Sequence, residues 1–162
     1  MGENGPLAMK RVSAIRRLGE WDALAAFDRV VLDSGDRHRR RVVLTGERGG
    51  AFLIDWPQPV MLKDGDGLVL DDGAIVAVVG ERETLLELGA KTPLQFVRLA
   101  WHIGNRHTDI QFVDDRLRIR RDHVLEDMLR GLGARLTPVE AAFDPEPGAY
   151  GHAHMHDDDH DA

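Results

Sequence analysis

Cysteine is absent from the 162 residues of this chain. Disulfides, thiolate zinc sites and cysteine nucleophiles are therefore excluded. Aromatic residues make up only 6%, so the core has to be built from Val, Leu, Ile and Ala. No apolar run approaches the roughly 20 residues that span a bilayer, and residues 1–10 lack the apolar segment of a secretory signal. The expectation is a soluble, cytoplasmic protein with no membrane attachment. Basic residues are in the minority: 21 Lys and Arg against 28 Asp and Glu leave a net charge of -7. A general nucleic-acid binder needs a basic surface to displace counterions, so nucleic acid is not an expected partner. Nucleophile elbow, Walker A loop and dinucleotide fingerprint are all missing. Asp64-Gly65-Asp66-Gly67 lacks the downstream spacing of a calcium loop and is better read as a turn. No carboxylate pair stands out as a general acid and base, and an enzyme is the least favoured class.

What remains is foldable and turn-rich. Hydrophobic residues reach 43%, charged residues 30%, and 17 glycines punctuate short Val/Leu-rich runs. Residues 1–10 are polar and Gly-rich, and disorder is expected there. Val12 to Arg16 suits a short strand, and Glu20 to Asp36 fits either helix or strand. Arg41-Val42-Val43-Leu44-Thr45 and Ala51-Phe52-Leu53-Ile54-Asp55 flank a glycine-rich turn as a hairpin with a long loop. Pro57 and Pro59 are expected to break the chain. Leu68-Val69-Leu70 and Ala74 to Val79 follow as strands across Asp72-Gly73. This half, residues 11–76, is predicted to be an all-β domain.

The second half changes period. Thr92-Pro93-Leu94-Gln95 combines an N-cap, a proline at the first helical position and a capping box. Gly104-Asn105 supplies the stop. Ile110 to Val113 and Arg116 to Arg120 make a hairpin around Asp114-Asp115. Asp122 caps a second helix that Gly133 ends, and Arg135 to Phe143 is a last strand. Counted from Ile75, the order is β-α-β-β-α-β, which defines a ferredoxin-like fold. The predicted class is α+β: the β domain, a ferredoxin-like domain over residues 77–147, and a disordered His/Asp-rich tail over 148–162.

Histidines carry the chemistry. Four of the eight lie in the last eleven residues, with four aspartates and no Lys or Arg. Neutral imidazole binds borderline metals such as Ni, Zn and Cu. His152, His154 and His156 alternate, so an extended chain points them the same way, and His160 lies beyond three aspartates. Such a tail can collect a divalent cation without any fold; a merely solvated acidic terminus is the bland alternative. His102 lies on the polar face of the first helix, and His107 just past its end. They are not an i, i+4 pair, so one chain cannot close a site from them. A two-fold dimer can bring the same residue from both subunits together. His123 sits on the polar side of the second helix. His38 lies in the basic run Arg37 to Arg41, which is better read as an exposed strand entry than as a phosphate site.

Three segments, taken in order before a His-rich terminus, resemble a known family. They are His102-Ile103-Gly104-Asn105-Arg106-His107, then Asp122-His123-Val124-Leu125-Glu126-Asp127-Met128-Leu129, then Phe143-Asp144-Pro145-Glu146-Pro147-Gly148-Ala149-Tyr150-Gly151-His152. The combination looks like the UreE urease accessory proteins, a family of nickel metallochaperones. The resemblance implies a homodimer with a peptide-binding-like β domain and a ferredoxin-like domain. It implies delivery of Ni2+ to apo-urease together with the accessory GTPase UreG, with Cu2+ or Zn2+ as competitors. By motif match His107 is the interfacial ligand from each subunit and His152 the tail ligand. His102 and His123 match peripheral positions that are His in some members. Arg120-Arg121 stand where some members carry further histidines. Two other functions compete: a passive metal buffer acting through the tail alone, and a peptide-binding assembly module whose histidines are incidental.

Overall fold

The computed structural model describes residues 9–148. Residues 1–8, and with them most of the N-terminal expectation, lie outside the described range, as do His152, His154, His156 and His160. Two compact units divide the described chain. One runs up to Thr84 and takes in Glu140–Asp144; the other holds Leu85–Val139 and resumes at Pro145.

The first unit contains β1 (Lys10–Arg16), a single 3-10 turn (Ala23–Ala25), β2 (Asp28–Leu32), β3 (His38–Thr45), β4 (Ala51–Met61), β5 (Gly67–Leu70) and β6 (Ile75–Gly80). Their order across the six-stranded sheet is β2-β6-β5-β1-β4-β3. Alternate residues of these strands fill one core, with Val12, Val30, Leu44, Phe52, Ile54, Leu68, Leu70, Val76 and Val78 all buried. The ambiguous stretch after Glu20 resolves into the 3-10 turn, capped by Asp22, and an edge strand paired in parallel with β6.

The predicted hairpin is present: β3 and β4 pair antiparallel from Thr45↔Ala51 to His38↔Met61. Gly46, where the loop begins, admits no side chain, because the Asp28 carboxylate already occupies the place of a Cβ. The prolines do not break the chain. Both lie inside β4. The ladder passes from Arg41↔Asp55 to Arg39↔Val60 with an irregularity between, so Pro57 and Pro59 sit where β4 has no partner residue in β3. A bulge of this kind is where a strand tolerates proline's missing donor.

The second unit is built on β7 (Arg82–Gly89), α1 (Pro93–Asn105), β8 (Gln111–Val113), β9 (Arg116–Arg120), α2 (His123–Gly131) and β10 (Arg135–Ala142). The sheet order β10-β7-β9-β8 is the 4-1-3-2 arrangement of a ferredoxin-like fold. The count from Ile75 therefore starts one strand early. β6 pairs with β2 and β5, and β7 is the first strand of the βαββαβ unit. The boundary expected at 76/77 falls inside β6, where Val76 to Val79 offers no break in composition. Leu86, Leu88, Leu99, Ile103, Leu117, Ile119, Leu125 and Leu129 form the buried core. Beneath the β7–β9 ladder, Glu87 receives hydrogen bonds from Arg116 and Arg118. These two guanidinium groups, Arg116 first, hold its carboxyl below the usual glutamate range against the cost of burial.

Candidate metal centre

Helix α1 begins as its sequence dictates. The Thr92 hydroxyl accepts from the Gln95 N–H at 3.1 Å, the Gln95 side chain accepts from the Lys91 N–H, and Pro93 is the first helical residue. Only Leu99 and Ile103 are fully buried along it. Leu94, Val97 and Trp101, three and four residues apart, remain 57%, 61% and 62% exposed. The sheet covers a stripe narrower than the apolar residues of the helix occupy, and these three form an apolar ridge on its outer side. The Trp101 ring meets the His102 ring edge-on at 5.0 Å.

The end of α1 is the informative part. The His107 N–H donates to the Gly104 carbonyl at 3.0 Å, and the Thr108 N–H to the Ile103 carbonyl at 3.4 Å. These are the paired bonds of a Schellman ending, which needs its C′ residue in the left-handed region. That residue is His107, at φ 56°. Helix α2 ends in the same way: Gly133 donates to Arg130 and Ala134 to Leu129, and Gly133 has φ 83°. One helix thus closes with glycine and the other with histidine. The second choice costs about 1 kcal/mol of backbone strain. It also sets an exposed imidazole at the carbonyl end of a helix, where the helix dipole favours a cation.

His102 is half-buried and lines a groove of about 400 Å³ with Lys91, Leu94, Gln95, Arg98 and Leu132. His123 opens α2 and is exposed. One turn on, the Glu126 carboxylate accepts from Arg121 at 2.8 and 3.3 Å, and that guanidinium is the largest cause of its lowered pKa. Arg121 thereby occupies the Glu126 oxygens, while the neighbouring Asp122 uses Oδ1 to cap the helix at the Leu125 N–H. Among the described residues no three His, Asp or Glu side chains converge as a metal site. His102, His107 and His123 are placed separately.

Arg37 departs from the expectation of an exposed basic strand entry. His38 to Arg41 are indeed exposed, but Arg37 is wholly buried. Its guanidinium pairs with Asp144 and donates to the Phe143 carbonyl and, at 3.3 Å, to that of Leu62. The partner that draws it inward lies more than a hundred residues on, beyond the reach of any local pattern.

An all-β unit followed by a ferredoxin-like unit, whose first helix ends on a strained, exposed histidine, defines a two-part α+β protein that presents an accessible imidazole at a helix end. Family comparisons match both parts. Residues 9–80 match the N-terminal domain model of the UreE urease accessory proteins, and residues 83–162 match the C-terminal domain model. The chain belongs to the UreE urease accessory protein family. It is 53% identical over 152 residues to the urease accessory protein UreE of Bradyrhizobium sp. (strain BTAi1 / ATCC BAA-1182), covering 91% of this chain and 73% of the relative. Identity to the UreE of Rhodopseudomonas palustris (strain HaA2) is 52% over 146 residues, covering 90% and 67%. The UreE of Brucella anthropi is 43% identical over 149 residues, covering 92% and 88%.

Proposed function

We propose that the protein is a nickel-binding metallochaperone that delivers Ni2+ to apo-urease while the urease active site is assembled. The observation that carries this reading is His107, an exposed imidazole held at a helix end in a backbone conformation that glycine adopts more cheaply. Strain kept at an exposed helix end fits a functional demand on that side chain. One imidazole holds nickel weakly. Two His107 residues facing each other across a two-fold axis supply two neutral ligands, and His152 from the tail adds a third or fourth at high effective concentration. His154, His156 and His160 extend the donor supply, and His102 and His123 serve as peripheral sites. Ligands on a tether leave one at a time, which suits stepwise transfer to a partner. Imidazole affinity rises toward Cu2+ along the divalent series, so copper competes and metal supply sets the cargo.

The apolar ridge of Leu94, Val97 and Trp101 supports the homodimer, because an exposed stripe of this size on a helix seeks cover. The UreG GTPase and the apo-urease assembly are the proposed recipients, and the cytoplasm the proposed compartment. No helix among the described residues is long and apolar enough to cross a membrane.

Calorimetric nickel titration of the full chain, a 1–151 truncation and His107→Ala tests the reading, with mass measured in parallel. The expected result is a tight ion on the intact dimer, weakened by truncation and lost in His107→Ala. If His107→Ala binds like the natural chain, the tail alone collects metal and the protein is a passive buffer.

A further inference from the structure

The groove beside His102 has a charge pattern at odds with the rest of the molecule. The chain as a whole is acidic, at -7. The groove is lined by Lys91, Thr92, Leu94, Gln95, Arg98, Leu99, His102 and Leu132, with no acid among them. The Lys91 ammonium and the Arg98 guanidinium find no acceptor among the described residues, whereas most other arginines of this unit are paired with Glu or Asp. Two unpaired cations over an apolar floor of Leu99 and Leu132, with Thr92 and His102 at hand as donors, suit an extended acidic segment whose carboxylates meet the cations.

We propose that the occupant is the acidic run Asp157-Asp158-Asp159 of this chain's own tail. Charge complementarity is the first support: the tail from His152 onward carries four aspartates and no Lys or Arg. Position is the second. The Glu146 N–H donates to the Ile110 carbonyl at 2.7 Å, so the tail leaves from the unit that carries the groove, a few residues beyond the end of α1. A five-residue loop and two turns of helix separate Ile110 from Arg98, and two further turns lead to Lys91, so the tail's origin lies within roughly 30 Å of Arg98 and roughly 40 Å of Lys91. From Glu146 an extended chain spans up to about 36 Å to Asp157 and about 43 Å to Asp159, so the reach is sufficient. Docking fastens the tail at both ends, at Glu146 and at Asp157–Asp159, with His152, His154 and His156 between. The histidines are then confined near His102 and His107 and not spread through the volume a free tail samples, which raises their effective concentration at the metal. The consequence for nickel rests on the function proposed above; the docking itself is independent of metal.

The test is therefore made first without metal. Backbone and Arg98 Nε–H nuclear magnetic resonance spectra are compared between the full metal-free chain and its Asp157→Asn/Asp158→Asn/Asp159→Asn variant. Docking predicts shifts at Lys91, Thr92, Gln95, Arg98 and Leu132. They should collapse in about 0.5 M NaCl, where charges are screened within a few ångströms, and be absent when the same comparison is made on a Lys91→Gln/Arg98→Gln background. Coincident spectra at those residues overturn the proposal, as do shifts that persist on that background. A second arm titrates nickel into Lys91→Gln/Arg98→Gln, which removes no imidazole or carboxylate. A several-fold loss of affinity relative to the natural chain is expected, and equal affinity removes the claimed effect on the metal. If nickel does not bind the natural chain at all, the function proposed above fails while the metal-free spectra still decide the docking.

Discussion

His107 combines two demands that two substitutions separate. Glycine at this position keeps the Schellman ending and relieves the left-handed strain. Alanine keeps the strain and only deletes the imidazole. In metal-free denaturant titrations His107→Gly is expected to be more stable than the natural chain by about 0.5–1 kcal/mol, and His107→Ala to be no more stable than it. Both should lose the nickel binding proposed for His107. Equal stability of the two variants would show that the backbone there is not under strain. Part of this was legible: Gly104-Asn105 announced a helix end, and the motif singled out His107. The positive φ was not, because the stop signal left open which residue would take the C′ position. Arg37 is the opposite case. Nothing around it distinguishes it from Arg39 to Arg41, and only partners distant in sequence, Leu62, Phe143 and Asp144, explain its burial.

At the scale of elements, both helices were legible because their caps are local chemistry: Thr92 and Asp122 each accept from the backbone three residues on. How much of α1 the sheet covers was not, since periodicity gives the apolar face of a helix but not the width of what packs on it. The exposed ridge yields a prediction. Trp101→Asp changes a residue that the single chain barely uses for its fold, so circular dichroism should be unchanged. Self-association measured by sedimentation should weaken by about thirtyfold or more, the loss of roughly 2 kcal/mol typical of an interfacial tryptophan. A variant that sediments like the natural chain would show that this ridge is not a contact between copies of the chain. The β7–β9 ladder gives a pH prediction. Glu87 titrates below its unfolded value because of Arg116 and Arg118. Its contribution to stability is therefore complete above the unfolded glutamate pKa of about 4.3 and disappears as pH falls through the lower folded value. The stability gap between the natural chain and Glu87→Gln should be flat from about pH 7 to 5.5 and shrink below about pH 4. A gap that grows with acid would reverse the assignment.

On the scale of the whole molecule, the α+β class and the order of the second half followed from the sequence. The point where one sheet gives way to the next did not. β6 and β7 are separated by Glu81 alone; no proline marks the change of partner, and the polar run Glu81 to Thr84 is taken into β7 from Arg82 on, so it does not read as a linker. Glycine and valine patterns show that strands exist; which strand lies beside which is decided by pairing across the sheet. The charge buried in the first unit sets a further expectation. Asp144→Ala leaves the Arg37 guanidinium buried without its counter-charge. Breaking a pair of this kind costs about 3 kcal/mol, which denaturant titration of the full chain should register.

The same clasp defines how much of the chain is expendable. Phe143 is wholly buried, Pro145 is buried, and Glu146 makes a backbone bond to Ile110; the described residues after it, Pro147 and Gly148, are exposed. A protease or a stop codon acting after Glu146 spares every buried contact described here, whereas one acting after Ala142 removes Phe143 and the counter-charge of Arg37. Glu146 is therefore a natural splice point, at which tails of different length, histidine content or charge can be grafted onto one unaltered body.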